Sequence, residues 1–83
     1  MSKITASDIY VIMDRIDPMN WYRFAREKLE LSDNEIAECQ YMDCYNLTEQ
    51  RYQMIQLWIR KNGRYATMNK LKELVYSCLY QIE

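Results

Sequence analysis

Apolar residues recur along the chain at the three- and four-residue spacing of helices that bury one face. This period predicts five helices, over approximately residues 7–16, 20–29, 32–41, 46–62 and 67–79. The side chains expected to form the core are Ile9, Ile12, Met13 and Ile16 in the first helix, Trp21, Phe24, Ala25 and Leu29 in the second, Ile36 and Cys39 in the third, Leu47, Met54, Ile55 and Trp58 in the fourth, and Met68, Leu71, Leu74, Val75, Cys78 and Leu79 in the fifth. The pattern therefore predicts an all-α domain.

Polar residues, and the single Pro and Gly, separate these stripes. Ser32 and Glu35 form a Ser-x-x-Glu capping box, in which each side chain accepts a hydrogen bond from the other residue's backbone N–H. Pro18 ends the first helix because its ring disfavours helical geometry at the preceding residue. Gly63 ends the fourth helix because it adopts a left-handed conformation without steric cost. The other predicted N-caps are Ser7, Asn46 (with Glu49 three residues later) and Thr67.

Composition supports one domain that spans residues 1–83. Apolar residues make up 49% of the chain, enough for one core, while one Gly and one Pro are too few for the turns of a β-sandwich. Eleven Lys and Arg against twelve Asp and Glu give a net charge of −1, without the basic stripe that nucleic-acid binding needs. No apolar run approaches the roughly 20 residues of a membrane span, so no membrane insertion is expected.

The reactive residues predict neither an enzyme nor a metal protein. Histidine, the commonest general base and metal ligand, is absent, and the three cysteines form no C-x-x-C pair. No nucleophile has a base beside it, and so short a chain has no room for a deep pocket. We therefore expect no catalytic residue, cofactor, metal or small-molecule substrate. The odd number of thiols favours a reduced, cytoplasmic location.

Three blocks of sequence, in order, resemble the signature of the death domain, a helical family whose members bind other death domains. Residues 21–36 read WYRFAREKLELSDNEI and are similar to the family's W-x-x-L-A-R-x-L-x-L-S-x-x-E-I. Residues 46–58 read NLTEQRYQMIQLW and are similar to N-L-x-E-Q-x-x-x-M-L-x-x-W. Residues 63–74 read GRYATMNKLKEL and are similar to G-x-x-A-T-x-x-x-L-x-x-L. The three blocks together are far more specific than any one of them.

The resemblance implies an antiparallel six-helix bundle with Greek-key topology, the death fold, without cofactor or chemistry. Its sixth helix is expected to be short or missing, because only Tyr80–Glu83 follow the fifth. The implied function is homotypic protein–protein interaction that assembles signalling complexes of apoptosis or innate immunity. The expected partners are the death domains of a receptor, adaptor, kinase or caspase, and further copies of the chain. The pattern is closest to cytosolic adaptors, such as the Fas-associated adaptor or the insect immune-deficiency adaptor.

By analogy with the family, the charged residues outside the apolar stripes are the candidates for partner binding. A patch from the first and fourth helices is expected to meet a patch from the second and third helices of the next molecule. The candidate residues are Arg15, Asp17, Arg23, Arg26, Glu27, Asp33, Glu35, Glu38, Asp43, Arg51, Arg60, Lys61 and Arg64. Arg51, Arg60 and Lys61 are predicted to lie on one side, and Asp33, Glu35 and Glu38 on a different face. Such contacts run head to tail and weaken with salt.

Two alternatives stay open. A related death-fold module, such as a caspase-recruitment domain, would share the physics of assembly but bind other partners. A small helical DNA-binding domain would also join two helices by a short turn. Its recognition helix should be basic, however, and residues 32–41 carry three acidic residues and no Lys or Arg.

Overall fold

The computed structural model describes residues 4–42 and 44–79, and within these ranges the chain is all-α, as the sequence predicts. Its five helices are α1 (Ala6–Asp14), α2 (Trp21–Arg23, continued as a π-helix over Phe24–Lys28), α3 (Asp33–Met42), α4 (Leu47–Asn62) and α5 (Met68–Leu79). Short 3₁₀ turns, Pro18–Asn20 and Gly63–Tyr65, precede α2 and follow α4. Two predictions, the sixth helix and Asp43, fall outside the described residues, and the predicted burial of Leu79 concerns a side chain that the structure does not describe.

The start of α1 differs from the prediction, because Thr5 and not Ser7 is its N-cap. The Thr5 hydroxyl accepts a hydrogen bond from the Asp8 backbone N–H at 3.2 Å, and the Asp8 carboxylate accepts one from the Thr5 N–H at 3.0 Å. This reciprocal pair satisfies two N–H groups, whereas Ser7 offers only its own hydroxyl. The hydrogen bonds from Thr5 keep the pKa of Asp8 below its usual value.

The other predicted caps are confirmed. The Ser32 N–H donates to the Glu35 carboxylate at 2.8 Å, and the Glu35 N–H donates to the Ser32 hydroxyl at 3.1 Å. Asn46 accepts from the Glu49 N–H at 3.0 Å, and Thr67 accepts from the N–H three residues later at 3.1 Å. The turn after α4 has φ of 54° at its glycine, a conformation that side chains rarely adopt.

The second helix departs from the prediction in its pitch. The Leu29 N–H donates to the Phe24 carbonyl five residues back, and the Leu31 N–H donates to the Ala25 carbonyl six residues back, both at 3.1 Å. Between them Glu30 has φ of 56°, the left-handed conformation in which many helices end. This wide turn brings both Leu29 and Leu31 into the core.

The core is centred on Trp21, which is 1% exposed. Its indole N–H donates to the Met54 sulfur at 3.1 Å, and its ring centroid lies 5.5 Å from that of Phe24. Around this centre α1 and α3 both pack on α4, and α5 packs on the π-helical part of α2. The buried apolar residues are Ile9, Ile12, Ile16, Trp21, Phe24, Ala25, Leu29, Leu31, Ile36, Cys39, Met54, Ile55, Trp58, Leu71 and Val75. Most of the predicted core is thereby confirmed.

Leu47 is the clearest error in the predicted core, since 52% of it is exposed. Leu47 is the first residue of α4. The apolar period continues to this end of the helix, so the sequence pattern predicts burial there although no other element covers the residue. The partly buried members of the predicted stripes, which pack against the core without being enclosed by it, are Met13, Met68, Leu74 and Cys78.

Candidate protein-binding surfaces

One surface is formed where α2 passes α3, and it comprises Tyr22, Arg23, Arg26, Asp33 and Gln40. The Arg26 Nε donates to the Asp33 carboxylate at 2.9 Å, and the Gln40 amide donates to the Tyr22 hydroxyl at 2.8 Å. The Arg26 guanidinium also lies 6.0 Å from the centroid of the Tyr22 ring. The side chains of Arg26 and Asp33 are nevertheless 56% and 83% exposed. The α2–α3 surface therefore presents charges in a fixed arrangement to solvent.

A second surface lies where α1 crosses the first turns of α4, and it comprises Tyr10, Glu49 and Tyr52. The Tyr10 ring stacks on the Tyr52 ring with centroids 5.2 Å apart, and its hydroxyl donates to the Glu49 carboxylate at 3.2 Å. Partial desolvation, followed by the bond to Glu49, raises the pKa of Tyr10. The α1–α4 surface thus consists of a carboxylate and two aromatic rings, and none of these three residues is among the predicted candidates.

The predicted separation of basic and acidic patches is wrong for Lys61 and Glu35. The Lys61 ammonium lies 2.9 Å from the Glu35 carboxylate and joins the end of α4 to the start of α3. The Ser32 N–H, and then Lys61, hold the pKa of Glu35 below its usual value. The two residues belong to one ion pair and so cannot form opposite sides of an assembly contact.

The remaining candidates are spread over several parts of the molecule. Arg15 lines a groove between α1 and α5, as does Lys72, and so lies towards α5. Arg51 is half-buried, with its guanidinium 5.6 Å from the centroid of the Trp21 ring. Burial raises the pKa of the Cys39 thiol in α3, and the positive charge of Arg60 partly opposes this rise. Arg60 is therefore directed towards α3. The candidates that are exposed are Arg15, Asp17, Arg23, Arg26, Glu27, Asp33, Glu38, Arg60, Lys61 and Arg64.

Three other candidate residues take part in local interactions. Arg23 lies 3.2 Å from Glu27 one turn later, and the Asp17 carboxylate accepts a hydrogen bond from the Met19 N–H at 2.9 Å. Asp17 therefore caps the 3₁₀ turn that leads into α2. Such local roles follow from spacings of two and four residues, a signal that the sequence already contains.

Two apolar surface features lie largely outside the set of predicted binding residues. The α3–α4 corner, which comprises Tyr41, Met42, Tyr45 and Leu47, is largely exposed. The α1–α5 groove is lined by Asp8, Val11, Ile12, Arg15, Met68, Lys72, Val75 and Tyr76. Val11 and Tyr76 lie outside the predicted apolar stripes. Apolar residues in such positions are the sequence signal from which the groove could have been predicted.

Acid is expected to destabilise the domain through Asp8 and Glu35, whose pKa values are both lowered in the folded state. A carboxyl group of this kind stabilises the fold above its unfolded pKa of about 4, and loses that contribution as pH falls through its folded pKa. The melting temperature should therefore fall as the pH drops below about 4. Thermal melts at a series of pH values, followed by circular dichroism, measure this slope.

Glu35→Gln should make that pH dependence shallower, because the variant lacks one of the two carboxyl groups. Glu38→Gln, on an exposed position of the same helix, is the matched control for removal of one negative charge. If the melting temperature of Glu35→Gln falls with pH as steeply as that of the wild type, the role assigned to this carboxylate is wrong.

Within residues 4–42 and 44–79, no group of His, Cys, Asp and Glu side chains is arranged to hold a metal ion. None of the helices in this part of the chain combines the length and apolar character needed to cross a membrane. What the described residues do offer is exposed polar and apolar surface. These properties are typical of a small all-α module that binds other proteins.

The comparison with protein families agrees with this class. The family model of the Death domain matches residues 6–81, so the chain belongs to the death domain family. Death domains are interaction modules that bind other death-fold proteins. No solved structure matches the chain. The family match favours the death domain over the two alternatives that the sequence left open.

Proposed function

We propose that this domain assembles signalling complexes of apoptosis or innate immunity in the cytoplasm, as an adaptor without chemistry of its own. Its α2–α3 surface captures the death domain of a receptor, adaptor, kinase or caspase. The observation that carries the proposal is the arrangement of Arg26, which is held by Asp33 and lies beside the Tyr22 ring while remaining exposed. An arginine already fixed in place loses little conformational entropy when a partner carboxylate binds it.

The shape of the α2–α3 surface also supports this proposal. Tyr22, Arg26, Asp33 and Gln40 line a shallow concavity of about 330 Å³, with Ile36 at its base. An aromatic ring and an arginine around a concave site are the residue types that most often dominate binding energy at protein interfaces. Arg23, which belongs to this surface, pairs with Glu27, and Glu27 thereby extends its charged part.

The other charged candidates have subordinate roles in this proposal. Exposed charges outside the contact centre mainly increase the association rate and exclude wrong partners. Arg15, Asp17, Glu38, Arg60 and Arg64 fit such a role. Arg51 is held against Trp21, and Glu35 and Lys61 pair with each other, so these three bind a partner only at the expense of an internal contact.

Arg26→Glu is expected to weaken capture of partner death domains by at least about tenfold, because it places a negative charge beside Asp33 where the partner carboxylate binds. The melting temperature should change little, since exposed ion pairs contribute little to stability. Binding of a panel of purified receptor, adaptor, kinase and caspase death domains, measured by biolayer interferometry at low and high salt, tests this. Capture by the wild type should weaken with salt.

Lys70→Glu, the same charge reversal on an exposed position of α5, is the matched control and should bind like the wild type. If Arg26→Glu retains capture of the panel member that the wild type binds, the α2–α3 surface is not the binding site. If no death domain of the panel binds the wild type at either salt concentration, the proposed function itself is wrong.

A further inference from the structure

A small polar pocket is lined by residues of α2, α4 and α5. It encloses about 220 Å³, and each of these three helices contributes one lysine to its lining. The lysines are Lys28 of α2, Lys61 of α4 and Lys70 of α5, and the apolar lining residues are Leu29, Trp58 and Leu74. We name this cavity the three-lysine pocket.

The three-lysine pocket is cationic, although the chain as a whole has a net charge of −1. Of the four charged residues in its described lining, three are lysines and one, Glu30, is acidic. Like charges that converge from separate helices on one small volume repel one another, and together they create a positive potential there. An anion in the pocket removes this repulsion, so the arrangement favours an anionic ligand.

The domain's own carboxylates neutralise the three ammonium groups only in part. Lys28 forms no ion pair with the residues that the structure describes. Lys70 lies 4.0 Å from Glu73, and both side chains are largely exposed, so this contact is weak. Lys61 is held more firmly, with its ammonium 2.9 Å from the Glu35 carboxylate. One ammonium group is thus fixed in place, and two others can turn towards a ligand.

Asn62 adds a neutral hydrogen-bond donor to the lining of the pocket. Its side-chain amide donates to the Trp58 carbonyl at 2.8 Å, which fixes the amide group beside the end of α4. A carboxamide has two N–H donors, so one remains for a ligand oxygen. Charged and neutral donors therefore line the same cavity.

We propose that the three-lysine pocket binds a small soluble anion that carries several phosphate groups, and that this ligand stabilises the packing of α2, α4 and α5. A phosphate monoester carries about two negative charges and three acceptor oxygens, whereas a carboxylate carries one charge. Several phosphates therefore match three ammonium groups within a small volume. Lysine binds phosphate as a point charge with rotatable donors, which suits side chains that approach from different helices. The ligand is bound and undergoes no reaction.

Acidic residues close to the pocket favour a compact ligand over an extended one. Glu30 lines the pocket, and Glu35 and Glu73 lie beside two of its lysines. A membrane surface, a nucleic acid or an acidic peptide extends beyond the pocket and would bring its own negative charges against these carboxylates. A compact polyphosphate keeps its charge among the lysines and avoids this repulsion.

Isothermal titration calorimetry with inositol hexakisphosphate, in buffer free of divalent cations, tests the proposal. The wild type should bind one equivalent, bind more weakly at high salt, and melt at a higher temperature with the probe present. Lys28→Gln and Lys70→Gln each remove one charged donor and should weaken binding by about three- to tenfold. Lys72→Gln, on an exposed position of α5 outside the pocket, is the matched control and should bind like the wild type.

A gain of affinity supplies a second and independent test. Glu35→Gln releases Lys61 from its ion pair and retains the capping box, because Gln replaces Glu in that motif. Binding of inositol hexakisphosphate should tighten by up to about fivefold, the range that an exposed ion pair spans. Glu38→Gln removes the same charge from α3 without releasing a lysine of the pocket, and should change the affinity less.

Four results would overturn the proposal. The first is a wild type that neither binds inositol hexakisphosphate nor gains melting temperature with it. The second is equal affinity of Lys28→Gln, Lys70→Gln and Lys72→Gln, and the third is an equal effect of Glu35→Gln and Glu38→Gln; both would show diffuse attraction in place of a site. The fourth is binding of an oligoglutamate peptide, or of vesicles that contain phosphatidylinositol bisphosphate, as tightly as the soluble probe. Arg26 and Asp33 do not line the pocket, so these results leave the proposed function of the α2–α3 surface unaffected.

Discussion

Replacing Trp21 with alanine is expected to unfold the domain or to lower its melting temperature by more than about 12 °C. The side chain is 1% exposed and contacts Met54 and Phe24, so its removal leaves a large cavity at the centre of the core. Truncating a buried Trp costs about 3–5 kcal/mol, and each kcal/mol shifts the melting temperature of a domain this small by about 4–8 °C.

Calorimetry of Trp21→Ala beside Tyr45→Ala measures this effect. Tyr45 is also a large aromatic residue, but it is fully exposed, so its truncation should leave the melting temperature close to that of the wild type. A cooperative transition of Trp21→Ala within a few degrees of the wild type would show that this residue is not the centre of the core.

Leu71→Ala should destabilise the domain by about 2–5 kcal/mol, whereas Leu47→Ala should change its stability by less than about 0.5 kcal/mol. Both residues fall on apolar stripes in the sequence, yet Leu71 is 0% exposed and Leu47 is 52% exposed. Leu71 belongs to α5, which packs on the π-helical part of α2, so its truncation opens a cavity there. The same substitution thus isolates burial from residue type.

Urea denaturation of the two variants supplies the measurement. The unfolding midpoint of Leu71→Ala should shift to lower urea with an unchanged slope, since the surface exposed on unfolding is nearly the same. Equal midpoints for Leu71→Ala and Leu47→Ala would contradict the placement of both residues.

The helices and most of their caps could be predicted from the sequence because the signals are local. Ser32 and Glu35 lie three residues apart, and so do the donor and acceptor at Asn46 and at Thr67; such pairs need no distant partner. The same rule identifies Thr5 and Asp8, so the choice of Ser7 overlooked a stronger capping box two residues earlier.

The π-helical turn of α2 could not be predicted from periodicity. Ala25 and Leu29 are four residues apart and share a face in either helix type, so the pattern of that segment does not distinguish the two. Burial of Leu31 distinguishes the two helix types, because it requires the chain to turn at Glu30. Tertiary packing, which no local pattern encodes, selects the wider turn.

The binding surfaces were harder to predict than the core, because they depend on how the helices are placed around one another. Lys61 and Glu35 are 26 residues apart in sequence and form an ion pair only because α4 ends beside the start of α3. Arg15 was grouped with the fourth helix, yet the rotation of α1 about its axis directs it towards α5. Charge type is visible in a sequence, whereas the face that a charge occupies is a property of the bundle.

The position of both tryptophans in the core has a spectroscopic consequence. Trp21 and Trp58 are the chain's two indole fluorophores, and both are almost fully buried. Their emission should therefore report unfolding and stay unchanged when a partner binds the α2–α3 surface. Arg51, whose guanidinium lies 5.6 Å from the Trp21 ring centroid, is the exception. A ligand that draws this guanidinium away would alter Trp21 emission. Intrinsic fluorescence therefore reports displacement of the Arg51 side chain in the folded protein.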